Sequence, residues 1–251
     1  MNARLRAERG MSLVEATIIL MVLAVLTAVI APSAGDYIED ARNTKAKEDV
    51  EAIGMAIYRV VRDTGMPCLT RDTAGAGGAC AIANKVELLV SGDAVNTNEP
   101  TVVTAAYAAG ATISSAANLN WAGGTNEVAD TSRDLVTNQM TTNALPGTDY
   151  TAVSFTSGGG PKAGLGWRGA YLNGPVSTDP WGYIYQASTI FLSVATNAAD
   201  GTGTGQLRGG WTQNVTVLSA GSNGTVQTAF GSTGAAAVGD DVVYVVQGAT
   251  R

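Results

Sequence analysis

Glu15 is the residue that asks for a chemical explanation. It stands at the entrance of a run that is apolar from Ala16 to Ala31 except for Thr17 and Thr27, five positions after Gly10 and six after Arg9. An ionised carboxylate near the middle of a membrane helix costs about 2.5 to 3.5 kcal/mol on insertion scales, so such a group calls for a partner. Near the cytoplasmic end that cost is lower, and a simple interfacial position remains open. Arg4, Arg6 and Arg9 outweigh Glu8 in the first ten residues, which keeps that end cytoplasmic and sends the rest of the chain outward.

A second set of oxygen-bearing residues closes the chain. The stretch SAGSNGTVQTAFGSTGAAAVGDD is rich in glycine and ends in Asp240 and Asp241. Hard cations such as Ca2+ take about six to eight oxygens from carboxylates, amides and carbonyls, and a flexible loop can wrap to supply them. A strand-capping acidic turn is the alternative. Cys68 and Cys80 lie twelve positions apart, matching neither a CxxC pair nor a four-ligand metal cluster. A local disulfide is expected in preference to free thiols. A ring of that size stabilises by about 3 kcal/mol in the loop-closure model and implies an oxidising compartment.

Other chemistries are excluded by composition. The chain has no histidine, which removes Ser-His-Asp and Cys-His catalysis and imidazole-dependent zinc sites. No convergent acid pair stands at a readable spacing, so an enzyme is not expected. With 15 basic against 21 acidic residues the net charge is −6, which argues against a nucleic-acid partner. Charged residues make up only 14% of the 251, against roughly a quarter in ordinary soluble domains, and Gly, Ala, Thr, Ser and Asn crowd the middle. That polar, uncharged surface suits an extracytoplasmic location.

The elements that position these residues follow from the patterning. Met11 to Ala31 is 21 residues, about 31 Å of helix, enough to span a bilayer. Beyond Pro32 the helical pattern continues: Val50, Ile53, Ile57 and Val60 recur at spacings of three and four, with Glu48, Asp49, Glu51, Arg59 and Arg62 on the remaining positions. Gly65 and Pro67 mark its end. Pro32 and Gly35 are the expected place for a kinked or melted segment. Residues 66–165 read as a loop-rich insertion, with one short apolar run at Val86 to Val90 and Trp121 as a core anchor. It is expected to be either a solvated decoration or a partner-binding surface. QNVTVLSAG and DDVVYVVQG read as strands. Asp179, Pro180, Trp181, Gly182 and Tyr185 precede them, with Pro180 fixing a turn, Gly182 permitting tight backbone packing, and Trp181 and Tyr185 carrying apolar faces to the helix. The expected fold is α+β, with an antiparallel sheet of at least three strands.

These features resemble the type IV pilins and the pseudopilins of type II secretion. RG followed by MSLVE looks like a class III prepilin signal, in which a membrane-embedded aspartyl peptidase cuts after Gly10 and methylates Met11. Glu15 then becomes the fifth mature residue and Pro32 the twenty-second, positions that carry a glutamate and a helix-kinking proline in the family; Asp36 and Tyr37 fall where pilins carry Asp-Tyr. Met11, Ser12 and Ala16 depart from the usual phenylalanine, threonine, and leucine or methionine. AKEDVEAIGMAIYRVVRDTG and DPWGYIY look like the major pseudopilin helix and its DPWG signature, with Ile184 in place of the usual proline.

The resemblance implies a leader at 1–10, a membrane and assembly half-helix at 11–31, an amphipathic half at 32–65, the insertion at 66–165 and the sheet at 166–251. It implies a precursor anchored once in the cytoplasmic membrane with its head outside, then a helical homopolymer. The Glu15 carboxylate would meet a neighbouring subunit's N-terminal amine, two charges that are costly alone and attractive together. Partners implied are the prepilin peptidase, a platform protein, minor pseudopilins and a cytoplasmic ATPase. A calcium site is also implied, with Ser219 at the loop start, Asp241 as acidic ligand, Asn223 where an aspartate is usual, and Asp240 available to compensate; no organic cofactor is expected. Two other functions fit the residues: a type IV pilus subunit for adhesion or motility, and a non-polymerising membrane-anchored binding module with an uncut leader.

Overall fold

The computed structural model describes residues 11–66, 68–74, 86, 88–92, 100–102, 133–151, 164–192, 215–228 and 237–246. Two compact units divide the chain, Met1–Arg42 and Asn43–Arg251. One helix, α1 (Leu13–Thr64), carries residues of both and is helical through Pro32 and Gly35. Gly65, in the left-handed region with φ of 68°, closes it, its N–H donating to the carbonyl of Val61 at 3.0 Å. Such a glycine ends helices because it lacks the Cβ that makes this conformation costly.

In the second unit the helical periodicity becomes burial. Ala46, Val50, Ile53, Ala56, Ile57 and Val60 are all buried, each at most 1% exposed. Burying a side chain of Val or Ile size contributes roughly 1.5 to 3 kcal/mol, so this stripe is a major source of the unit's stability. Gly54 lies on the same contact: a Cβ there would run into the ring of Tyr244. Its small size therefore lets the helix approach the sheet closely.

The sheet has five strands in the order β3-β1-β4-β5-β7, with β1 Leu88–Val90, β3 Arg133–Leu135, β4 Gln186–Ala187, β5 Val215–Ser219 and β7 Val242–Val246. A separate parallel pair joins β2 (Thr101–Val102) to β6 (Thr225–Val226). β5 and β7 are antiparallel over five residue pairs, from Val215 opposite Val246 to Ser219 opposite Val242. β4 is antiparallel to both β5 and β1. β1 and β3, however, are parallel, Leu88 standing opposite Arg133. The three strands of the C-terminal segment, β4, β5 and β7, are antiparallel as expected, and the parallel β1–β3 pair makes the five-stranded sheet as a whole mixed. Parallel neighbours need a long crossover, and the chain between residues 90 and 133 supplies it.

Both of those strands come from the stretch 66–165. Its described residues Leu69, Val86, Leu88, Leu89, Val90, Val136, Met140, Leu145 and Tyr150 belong to the same core as the helix stripe. Trp121 lies outside the described residues. The fold is α+β: an N-terminal apolar helix and a mixed five-stranded sheet.

Candidate functional site

In the first unit, Leu13–Ile30 is a stretch of 18 residues with mean hydropathy 2.7, long and apolar enough to cross a membrane. None of it is buried within the chain; Leu13, Leu20, Met21 and Val29 are each at least 65% exposed. The two polar interruptions are neutralised locally. Thr17 Oγ1 donates to the carbonyl of Val14 at 2.8 Å and Thr27 Oγ1 to that of Leu23 at 2.8 Å. A hydroxyl satisfied by its own helix presents little polarity to a surrounding lipid. Glu15, in the first turn of α1, is exposed. A carboxylate there is favoured by the helix dipole. Met11 is 64% exposed, and Gly10 lies outside the described residues. Pro32 falls inside α1.

In the second unit the DPWG residues form a hydrogen-bonded turn built on Asp179. Its carboxylate accepts the N–H of Trp181 at 3.0 Å and of Tyr183 at 2.8 Å, and the Ser219 hydroxyl at 2.6 Å. Its own N–H donates to the carbonyl of Tyr183 at 2.7 Å. Gly182 has φ of 97°, and a Cβ there would meet nothing within 4 Å. Gly182 therefore serves the turn's backbone conformation rather than the tight packing expected of it. Burial pushes the Asp179 carboxyl above its ordinary pKa, against the lowering by its hydrogen bonds from Ser219, Tyr183, Trp181 and Gly182. The turn delivers Ile184 and Tyr185 into the core, both at most 1% exposed, with Trp181 packed partly buried against it.

The C-terminal loop brings Asn223 to Asp240 but leaves Ser219 elsewhere. Asp240 accepts the Ser222 hydroxyl and the Asn223 N–H, each at 2.8 Å, and the Asn223 side-chain amide. Asp241 turns inward: its Oδ2 accepts the N–H groups of Gln227 at 2.8 Å and Thr228 at 2.6 Å. Its Oδ1 is buried with no hydrogen-bond partner among the described residues, as is Oε1 of Gln227. Burial raises the Asp241 pKa, hydrogen bonds from Thr228 and Gln227 oppose the rise, and Asp240 adds to it. Among the described residues no three His, Cys, Asp or Glu side chains gather in a metal-holding group. The side-chain oxygens of this loop left without a hydrogen bond among the described residues are Asp241 Oδ1 and Gln227 Oε1, the latter packed against Gly239. The hydroxyl of Ser219 is committed to Asp179 and the Asn223 amide to Asp240. Gln227 gave no signal in sequence, being one amide in a polar loop.

A buried polar network, also invisible in sequence, lies beside the cysteine segment. Asp134 on β3 accepts from the Leu135 N–H at 2.8 Å, Asn138 Nδ2 at 2.7 Å and Gln139 Nε2 at 2.5 Å. Gln139 Nε2 also donates to the Thr70 carbonyl at 2.7 Å, and its Oε1 accepts the Tyr150 hydroxyl at 2.5 Å. Burial drives the Asp134 carboxyl up, with Gln139, Asn138, the Leu135 N–H and Arg71 pulling the other way. Cys68, two residues before Thr70, is disulfide-bonded; Cys80, the chain's other cysteine, lies outside the described residues.

Compared with family models, curated proteins and solved structures, the chain matches none of them.

Proposed function

We propose that this chain is a structural subunit of a type IV pilus-like filament, most like the major pseudopilin of type II protein secretion, polymerising through its N-terminal helix. The observation that carries this reading is the make-up of α1. One continuous helix begins with an exposed apolar span whose hydroxyls are internally satisfied, holds a single acid in its first turn, and ends as the buried stripe of an α+β head. An ordinary anchor has no need of that acid at the lipid boundary. In a bundle of such helices, Glu15 would neutralise the amine released when the chain is cut before Met11 and methylated there. Prepilin peptidase, a membrane platform protein and minor pseudopilins would act on the chain, and no catalysis is assigned to it.

Calcium belongs to the same reading, with Asp241 and Gln227 as the side chains that would hold it and a tied-down C-terminal loop as its effect. The filament proposal is tested by the intact mass of the membrane-extracted protein and by electron microscopy of a Glu15→Ala variant. A chain that begins at N-methylated Met11, and filaments lost in the variant, are the expected results. An uncut chain indifferent to Glu15 would make the segment a plain anchor.

A further inference from the structure

No charged residue stands between Glu15 and Asp36. The run 16–35 makes about 30 Å of helix, the thickness of a bilayer's hydrocarbon core. With the Glu15 carboxylate at the boundary nearer the N-terminus, Tyr37 comes to the far boundary, about 33 Å along α1. Tyrosine is enriched at that level because its ring is apolar and its hydroxyl can meet headgroups and water. Tyr37 is 73% exposed and Ile38 56%. Ile30, Ala34, Tyr37 and Ile38, all exposed, share an arc of about 100° on the first unit's helix. Every charged residue of 31–42 lies outside that arc. Asp40 is about 60° beyond Tyr37 and Arg42 about 40° beyond Ile38, with Asp36 and Glu39 on the far side. Glu39 meets Arg42 there at 3.7 Å. Helical side chains tilt toward the N-terminus, so the Tyr37 ring reaches back toward the span. Asp36 lies at nearly the same depth on another side, and a carboxylate is costly in lipid. Membrane helices lean by about 20° on average. Leaning on the Tyr37 side lowers the apolar arc and lifts Asp36 and Asp40 toward water.

We propose that Ala34, Tyr37 and Ile38 form an anchor in the leaflet away from the N-terminus. The lipid interface is the partner of this face, Glu15 and Tyr37 mark the two boundaries, and the helix leans on its Tyr37 side. The inference rests on the reading of α1 as a membrane span and concerns the single chain before any assembly. It fixes depth and rotation, which Leu13–Ile30 leaves open because that stretch is exposed and apolar all round. Lipid is the occupant because the arc continues the exposed face of Ile30 to the level where headgroups begin, while the carboxylates stand on the sides that a lean turns to water. A second copy packed on the same face is the competing arrangement.

Spin labels on the full chain, reconstituted at low density in vesicles of phosphatidylethanolamine and phosphatidylglycerol, separate these outcomes. Cys68 is disulfide-bonded and Cys80 is the chain's other cysteine, so a label goes to an introduced thiol, with the unlabelled parent as control. Val22→Cys, Ala34→Cys, Ile38→Cys, Asp36→Cys and Asp40→Cys are compared by relaxation from oxygen, which concentrates in lipid, and from a water-soluble nickel chelate. The ratio of oxygen to nickel effect is expected to be high at Val22, Ala34 and Ile38 and about threefold or more lower at Asp36 and Asp40. Adding Tyr37→Ser should move the Ile38 label toward water, and Tyr37→Trp should leave it in place. Equal ratios on the two faces, or an Ile38 label indifferent to Tyr37→Ser, would overturn the anchor. Labels at Ala34 and Ile38 shielded from both reagents would overturn it in favour of a second copy. A Val22 label in water would bring down the membrane-span reading and the anchor with it; Val22 in lipid with Ala34 and Ile38 in water would bring down the anchor alone.

Discussion

The Tyr185 hydroxyl donates to the carboxylate of Asp49 at 2.9 Å, across 136 positions of sequence, and so fastens the sheet to the helix. The same carboxylate takes the Lys45 ammonium at 2.6 Å. Burial, and then the neighbouring Asp49 carboxylate, push the Tyr185 hydroxyl well above the ordinary phenol range, so it stays a donor at every physiological pH. Tyr185→Phe removes the donor while keeping the ring. The expected cost is about 1 to 2 kcal/mol, because a bond to a charged group is lost but Asp49 retains Lys45. Urea unfolding of the full chain in detergent should show a lower midpoint with an unchanged slope. An unaltered midpoint would mean that the bond contributes nothing.

Asp134, Asp179 and Asp241 share a direction: burial raises all three carboxyls in the folded chain. The folded state therefore holds their protons more tightly than the unfolded state. Their contribution to stability is complete below the unfolded carboxylate value of about 3.9 and is lost as pH rises through the raised folded values. Asp134→Asn keeps the shape of the site and removes one of these titrations. Unfolding midpoints compared across the mildly acidic range and at neutrality should fall less steeply with pH in the variant than in the parent. Parallel curves would remove Asp134 from the account.

Asp241 offers its buried Oδ1 to a proton or to a cation. Millimolar Ca2+ is expected to raise the melting temperature at neutral pH and to do so less at mildly acidic pH, where the proton competes. Saturation at a hundredfold excess over the dissociation constant corresponds to about 2.7 kcal/mol. Asp241→Asn should abolish the shift. An equal shift in the variant would move the cation elsewhere, and no shift in the parent would dispose of the site.

Reduction provides another test. Cys68 is buried, disulfide-bonded, and adjacent to the segment that hydrogen-bonds through Thr70 to Gln139. Thiol reductant is expected to lower stability by about 3 kcal/mol on the loop-closure account. The same thermal midpoint with and without reductant would contradict it.

Local chemistry made much of this protein legible from sequence. The apolar run with its single acid, the helical stripe of Val50, Ile53, Ile57 and Val60, and the glycine stop at Gly65 each depend on neighbours within a few turns. β5 and β7 were legible for the same reason, since β-branched residues in short runs favour extended backbone.

Pairings between distant segments depended on tertiary structure. Nothing local announces that Leu88 will lie parallel to Arg133, that Tyr185 will find Asp49, or that Ser219 will turn from the acidic loop to Asp179. A polar side chain in a loop reads the same whether it meets water or a buried carboxylate. The burial of Asp134 and the open oxygens of Asp241 and Gln227 emerged only when the chain closed around them. By itself the sequence determined a membrane-length helix, its acid, the buried helical stripe and the strands β5 and β7 of an α+β head; the tertiary structure decided the remaining strands, the mixed sheet and which polar groups face one another, because those contacts join residues far apart along the chain.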